Sequence, residues 1–198
     1  METGLRVYRI FTYIFVTILV LVSTVILTFI ITLLFNSKHQ LMLLMSLSFP
    51  LLVCLVIIPC LIRRKYINIF LIDNRQLLIT TALYLGILPV LFIYVSMQEP
   101  LVYCVHLLVI SIAEEFYCRG VLTKELQKSF SRNRTLIIVS LIFALIFHLN
   151  ESFVQNLFIR FPLGLVSGIS YNKTNNIWIP ILIHTVYNSL IIIIIGGQ

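Results

Sequence analysis

Apolar residues run through this chain in long stretches, broken by short polar segments that collect most of the charge. A helix needs about 20 apolar residues to cross the hydrocarbon core of a bilayer. On that rule the pattern predicts seven helical spans, near 10–35, 41–62, 77–97, 101–122, 135–150, 153–171 and 177–196. The fifth and sixth are short or interrupted, and one of them is a candidate re-entrant segment. The first run is too long for a signal-peptide core and lacks a small-residue cleavage site, so it is expected to remain as a span. The expected architecture is an all-α, polytopic transmembrane helical bundle, a single membrane domain over 1–198 with no internal repeat and no linker.

Composition supports this reading. Of 198 residues 60% are hydrophobic and only 11% charged, with a mean hydropathy of +1.08. A soluble domain could not hide that much apolar surface. The net charge of +7 does not indicate nucleic acid, because the cations sit in clusters between the apolar runs. With seven spans, one set of connecting segments holds Arg6, Arg9, Arg63, Arg64, Lys65, Arg75, Lys124, Lys128, Arg132, Arg134 and Lys173; the other holds Lys38. That asymmetry predicts a cytoplasmic N-terminus and an external C-terminus in a multi-pass cell-membrane protein. Segment 123–134 is basic and weakly amphipathic, and is expected to lie along the inner face against anionic lipid. Cys54, Cys60, Cys104 and Cys118 show neither metal-ligand nor disulfide spacing and read as small apolar residues.

The fourth span is the exception to the apolar pattern. It carries Glu114, Glu115 and Arg119 in "SIAEEFYCRGVL". Its Leu, Ile, Val and Phe residues favour insertion by roughly 5 kcal/mol, whereas three central charges oppose it by roughly 9 kcal/mol. Its polar face must therefore look into the bundle or a wet cavity, where intramembrane charge is functional by default. Glu115 and Arg119 are i and i+4 and can pair along one face. Glu114 points about 100° away, which leaves it as the carboxyl free to exchange a proton. A plain structural Glu–Arg pair between helices is the other reading of that spacing.

Two later spans add polar groups, His148 in one, His184 with Asn188 one turn later in another. Counting 1.5 Å per residue from the cytoplasmic helix ends puts Glu114 at about 12 Å depth, His184 about 10 Å, Asn188 about 16 Å and His148 about 20 Å. One polar layer is thus geometrically feasible. His106 is expected to pack against a neighbouring helix, and His39 falls in an outer loop. Arg160 is expected to snorkel or to pair with Glu151. Gly164 and Gly168 form a GxxxG pair, which signals close helix packing.

Glu114-Glu115-x-x-x-Arg119-Gly120, His148, and His184-x-x-x-Asn188, in that order, resemble the CAAX protease and bacteriocin-processing family of intramembrane proteases, which includes the Rce1-type prenyl-protein endoproteases. The similarity covers about 101–196. The family's second motif has phenylalanine four residues before its histidine; here Ala144 holds that position and Phe143 is one residue early. The resemblance implies water-mediated peptide hydrolysis: Glu114 activates water, His148 helps to hold it, Glu115 and Arg119 position and polarise the site, and His184 and Asn188 stabilise the oxyanion. It also implies a membrane-associated peptide or protein substrate, as in bacteriocin or pheromone processing or self-immunity, with membrane lipids as partners and no nucleic acid. A metal-free glutamic mechanism is favoured, since no HExxH helix is present and Arg119 stands beside the carboxylates. The metallo alternative would use zinc on Glu114, His148 and His184. The rival functional class is a non-catalytic membrane immunity or scaffold protein of the same fold.

Overall fold

A computed structural model describes residues 2–35, 46, 48–94 and 100–196. All of its regular elements are helical: α1 (Glu2–Phe35), α2 (Ser48–Ile62), a 3-10 helix (Arg64–Phe70), α3 (Asn74–Tyr94), α4 (100–126), α5 (132–147), α6 (Phe153–Thr174) and α7 (Trp178–Gly196). Residues 41–45 and 47 of the second expected span, 95–97 of the third, and Lys38 and His39 lie outside the described residues. Two stretches, Arg6–Leu34 and Phe153–Thr174, are long and apolar enough to cross a membrane.

Helix α1 turns large apolar side chains outward and small hydroxyls inward. Phe11, Phe15, Val25, Phe29 and Leu33 face outward, each more than 60% exposed, while Thr17 and Thr24 are buried against the bundle. Their hydroxyls donate to the carbonyls of Tyr13 (2.7 Å) and Val20 (2.9 Å), so no polar atom of these threonines competes with packing.

Helix α4 lies at the centre. Glu114 to Gly120 are all buried: Tyr117, Cys118 and Leu122 join a core with Leu55, Val139 and Phe143, and Phe116 joins a second core with Tyr66, Ile69, Ile177 and Ile181. Helix α3 is fastened to the α6–α7 turn. Gln76 Nε2 donates to Thr174 O (2.9 Å), Asn176 Nδ2 to Thr80 Oγ1 (2.8 Å) and Tyr84 Oη to Trp178 O (3.0 Å).

In segment 123–134 three of the first four residues turn inward, whereas Gln127, Lys128 and 131–134 are exposed. Residues 123–126 continue α4, and Thr123, Glu125 and Leu126 turn inward. The cause is Glu125, which gathers cations and hydroxyls from three elements. Arg63 Nη1 (2.7 Å), Tyr66 Oη (2.7 Å), Tyr13 Oη (3.2 Å) and Lys128 Nζ all donate to its carboxylate, and Lys65 Nζ stands 3.8 Å away. Burial would raise this carboxyl, but the hydrogen bonds from Lys128 and Tyr66 and the charges of Lys128 and Arg63 prevail and hold it down at about 2.

Among the described residues four helices contain π-helical turns: Val53–Ile57 in α2, Phe116–Leu122 in α4, Phe143–Phe147 in α5 and Asn156–Arg160 in α6. The first lies just ahead of Pro59, whose missing N–H breaks the regular ladder. The other three border the buried charges. The fifth expected span ends at Phe147, and His148 to Asn150 form a turn, so His148 is a helix-end residue with φ −117° and ψ 41°.

Candidate active site

Arg119 and Glu115 form the sealed floor of a charged cluster, at 1% and 0% side-chain exposure. Arg119 Nε donates to Glu115 Oε2 at 2.9 Å, and Nη2 donates to the Gly164 carbonyl at 3.0 Å. The GxxxG pair makes room for this. A Cβ on Gly168 would come within 2.3 Å of Leu136 Cδ1 and 3.4 Å of Arg119 Nη1. A Cβ on Gly164 would press on Ser140 and Phe143 at 3.2 Å. The glycines therefore let α6 approach both α5 and the guanidinium, so they pack the helices and seat the charge together.

His184 bridges the two glutamates. Its Nδ1 is 3.2 Å from Glu115 Oε1 and its Nε2 is 3.8 Å from Glu114 Oε2. From the opposite side His148 brings its Nε2 to 4.0 Å from that same Glu114 oxygen. Helices α4 and α7 and the turn after α5 thus converge on one carboxylate oxygen. Separations of 3.8 and 4.0 Å are too long for direct hydrogen bonds and suit a single bridging water. Glu114 Oε2 and His148 Nε2 are buried without a direct hydrogen-bond partner, whereas Glu115 Oε1 and His184 Nδ1 have each other at 3.2 Å. The Glu114–His148 side is the less enclosed one, with side chains 11% and 14% exposed against 1% for His184.

Phe143 lies between the histidines. Its ring stands edge-on to His148 (centroids 5.1 Å, 82°) and to His184 (5.4 Å, 90°), fully buried. Its one-residue displacement in the sequence coincides with the π turn it begins. In an α-helix the residue four positions back shares the face of the histidine, whereas a π turn holds one more residue and brings the fifth position there. Asn188 is half-buried one turn beyond His184 on the same face and makes no hydrogen bond to the cluster among the described residues. His106 stands apart, 2.5 Å from Ser48 Oγ in α2.

Arg160 pairs with Glu151, and the pair borders the cluster. Arg160 Nε and Nη2 donate to the two Glu151 oxygens at 3.0 and 2.5 Å. Glu151 Oε1 is 3.7 Å from His148 Nδ1. Hydrogen bonding from Arg160, opposed by burial, keeps the Glu151 carboxyl below the usual carboxylate range.

A catalytic zinc needs three side-chain ligands in a common shell about 2 Å from the ion. Among the described residues no group of three or more His, Cys, Asp or Glu is arranged to hold a metal ion, Glu114, His148 and His184 included.

Neither a curated protein nor a solved structure matches the chain. One family model does, over residues 96–190, just under half the chain and inclusive of all six candidate residues. Residues 96–190 thus match a protease-family domain, the Rce1-like family, described as type II CAAX prenyl endopeptidase Rce1-like.

Proposed function

We propose that this chain is a multi-pass intramembrane endopeptidase that hydrolyses a peptide bond with water activated by Glu114, without a metal. The observation that carries the reading is the convergence of His184 Nε2 (3.8 Å) and His148 Nε2 (4.0 Å) on Glu114 Oε2. A water between these atoms would give a proton to Glu114 as its oxygen attacks the scissile carbonyl carbon. The carbonyl becomes a tetrahedral oxyanion, which His184 and Asn188 would stabilise as hydrogen-bond donors. Collapse breaks the C–N bond, and the proton held by Glu114 leaves with the departing amine. Glu115 and Arg119 would act beneath, fixing His184 through its Nδ1.

The substrate class follows from where such a cluster lies. A site at membrane depth, least enclosed on the Glu114–His148 side, would take an extended segment of a membrane-associated peptide or protein presented from the lipid. With the N-terminus in the cytoplasm, cleavage would occur on that side of the bilayer. Processing of a bacteriocin or pheromone precursor, or self-immunity, fits such a substrate.

Mass spectrometry of membrane-associated peptides from cells carrying wild type or Glu114→Ala, matched for accumulation, tests this. Fragments present with wild type and lost with the variant support the reading, and their persistence under chelation supports the metal-free form. If Glu114→Ala changes no peptide yet fully rescues a deletion phenotype, the chain is a non-catalytic immunity or scaffold protein on this fold.

A further inference from the structure

Resting on that hydrolytic reading, we infer that Glu151, locked by Arg160, is a positioning residue that sets the tautomer and orientation of His148. His148 needs such a partner because it has left the helix. A side chain on a turn is not aimed by a helical ladder, so its direction must come from what it touches. Its backbone is tied down: Asn156 Nδ2 donates to the His148 carbonyl at 2.8 Å. Phe143 fixes the ring on one edge at 5.1 Å between centroids. Neither contact distinguishes the two ring nitrogens. Glu151 does, with Oε1 3.7 Å from Nδ1 while Nε2 looks toward Glu114.

The carboxylate is itself held in place. Arg160 grips both its oxygens, and the guanidinium carbon lies 5.1 Å from the centroid of the Tyr187 ring on α7. Ser152 closes a capping box with Gln155 at the start of α6, which fixes the backbone next to Glu151. The charged or titratable groups that act on His148 are Glu114 from α4, Glu151 from its own turn, Arg160 from α6 and His184 from α7. Among these Glu151 is the carboxylate on the Nδ1 side, and at 3.7 Å, beyond direct hydrogen-bond reach, it favours a proton there by its charge or through one water. A proton kept on Nδ1 leaves the Nε2 lone pair pointing into the reaction space, where it can hold the water that Glu114 activates. Tyr187, Arg160, Glu151 and His148 therefore act as one relay of orientation from α7 to the reacting carboxylate. A merely structural Glu151–Arg160 staple between turn and helix would leave the imidazole tautomer untouched.

The test follows the four histidine side chains by nitrogen-15 NMR in the full chain in lipid nanodiscs, with the His148 signals assigned as those lost in His148→Gln. Wild type is expected to hold His148 with its proton on Nδ1. Glu151→Ala should release it to a mixture of tautomers, Arg160→Ala should do so in part, and Glu151→Asp should restore it. Glu151→Gln, which keeps the shape and removes the charge, replaces Glu151→Ala if the latter does not accumulate. The fragments that depend on Glu114 should fall about 10–100-fold with Glu151→Ala and recover with Glu151→Asp. An unchanged His148 spectrum in the folded Glu151 variant overturns the inference. If instead Glu114→Ala leaves every fragment in place, the protease reading fails, and the tautomer measurement still decides the positioning role by itself.

Discussion

Removing Arg119 should be the most destabilising single change in the polar core. Its Nε is 2.9 Å from Glu115 Oε2 and its Nη2 3.0 Å from the Gly164 carbonyl, at 1% and 0% exposure for the ion pair. Arg119→Ala leaves a fully buried carboxylate facing only His184 Nδ1 at 3.2 Å. Breaking a buried pair by deleting one partner costs about 3–5 kcal/mol. For a chain of this size each kcal/mol lowers Tm by about 2–4 °C, so a fall of about 6–20 °C is expected. Arg119→Lys keeps the charge, but an ammonium on a single stem cannot reach both acceptors. The loss of one charge-assisted hydrogen bond is about 1.5–3 kcal/mol. The double variant Glu115→Gln/Arg119→Gln removes both charges and should be less damaging than the two single effects added, with a coupling of about 1 kcal/mol or more. Thermal unfolding in nanodiscs, followed by near-UV circular dichroism, measures Arg119→Ala, Arg119→Lys, the double variant and its two singles, Glu115→Gln and Arg119→Gln, against wild type. An Arg119→Ala midpoint within about 2 °C of wild type, or single effects that simply add, would refute the buried-pair reasoning.

Two further outcomes can be checked in the same preparation. The Glu125 carboxyl, held at about 2, lies below its ordinary value of 4.5, so its contribution is fully present above pH 4.5 and fades as pH falls toward 2. Arg63, Lys65 and Lys128 are about half exposed, so solvent screening trims the contribution to about 1–2 kcal/mol; Glu125→Gln should be less stable than wild type by that amount at pH 7, and the gap should close in unfolding midpoints measured down the acid range. Phe143→Leu keeps most of the buried volume and should lose under about 1.5 kcal/mol in an unfolding curve, while the two histidines it braces lose their shared edge contact and the yield of Glu114-dependent fragments drops by about tenfold or more.

The helices and the buried charges were legible in the sequence for one physical reason: a bilayer offers no partner to a backbone polar group or an ion. Long apolar runs therefore had to become helices, and Glu114, Glu115 and Arg119 had to find company inside the bundle. Of the four residues that the depth count put in one layer, His148 and His184 stand 4.0 and 3.8 Å from Glu114, while Asn188 makes no hydrogen bond to them among the described residues. The Glu125 cluster was not legible in the same way. A glutamate within "TKELQKSFSRNR" looks like one more solvated charge on a basic surface. Its partners Tyr13, Arg63 and Tyr66 come from more than 50 residues away, and only the fold reveals that they meet.

The harder lesson concerns register. Reading faces of a helix from sequence assumes 3.6 residues per turn, and beside this site that assumption fails three times, at Phe116–Leu122, Phe143–Phe147 and Asn156–Arg160. A π turn inserts one residue, so every side chain beyond it is rotated relative to the α-helical expectation. On the α-helical count Ala144 should brace His148 and Phe143 should point elsewhere. Ala144 is fully buried and too small to touch either imidazole ring usefully, whereas Phe143 meets both at 5.1 and 5.4 Å. The apparent defect in the motif and the irregular turn are thus two sides of one arrangement, in which the wider turn returns the phenyl ring to the histidines. The same logic reaches α6, where the π turn from Asn156 to Arg160 carries at its two ends the amide that holds the His148 carbonyl and the guanidinium that holds Glu151. Local departures from ideal helix geometry, invisible to a pattern of apolar and polar letters, are what aim the turn-borne histidine at Glu114.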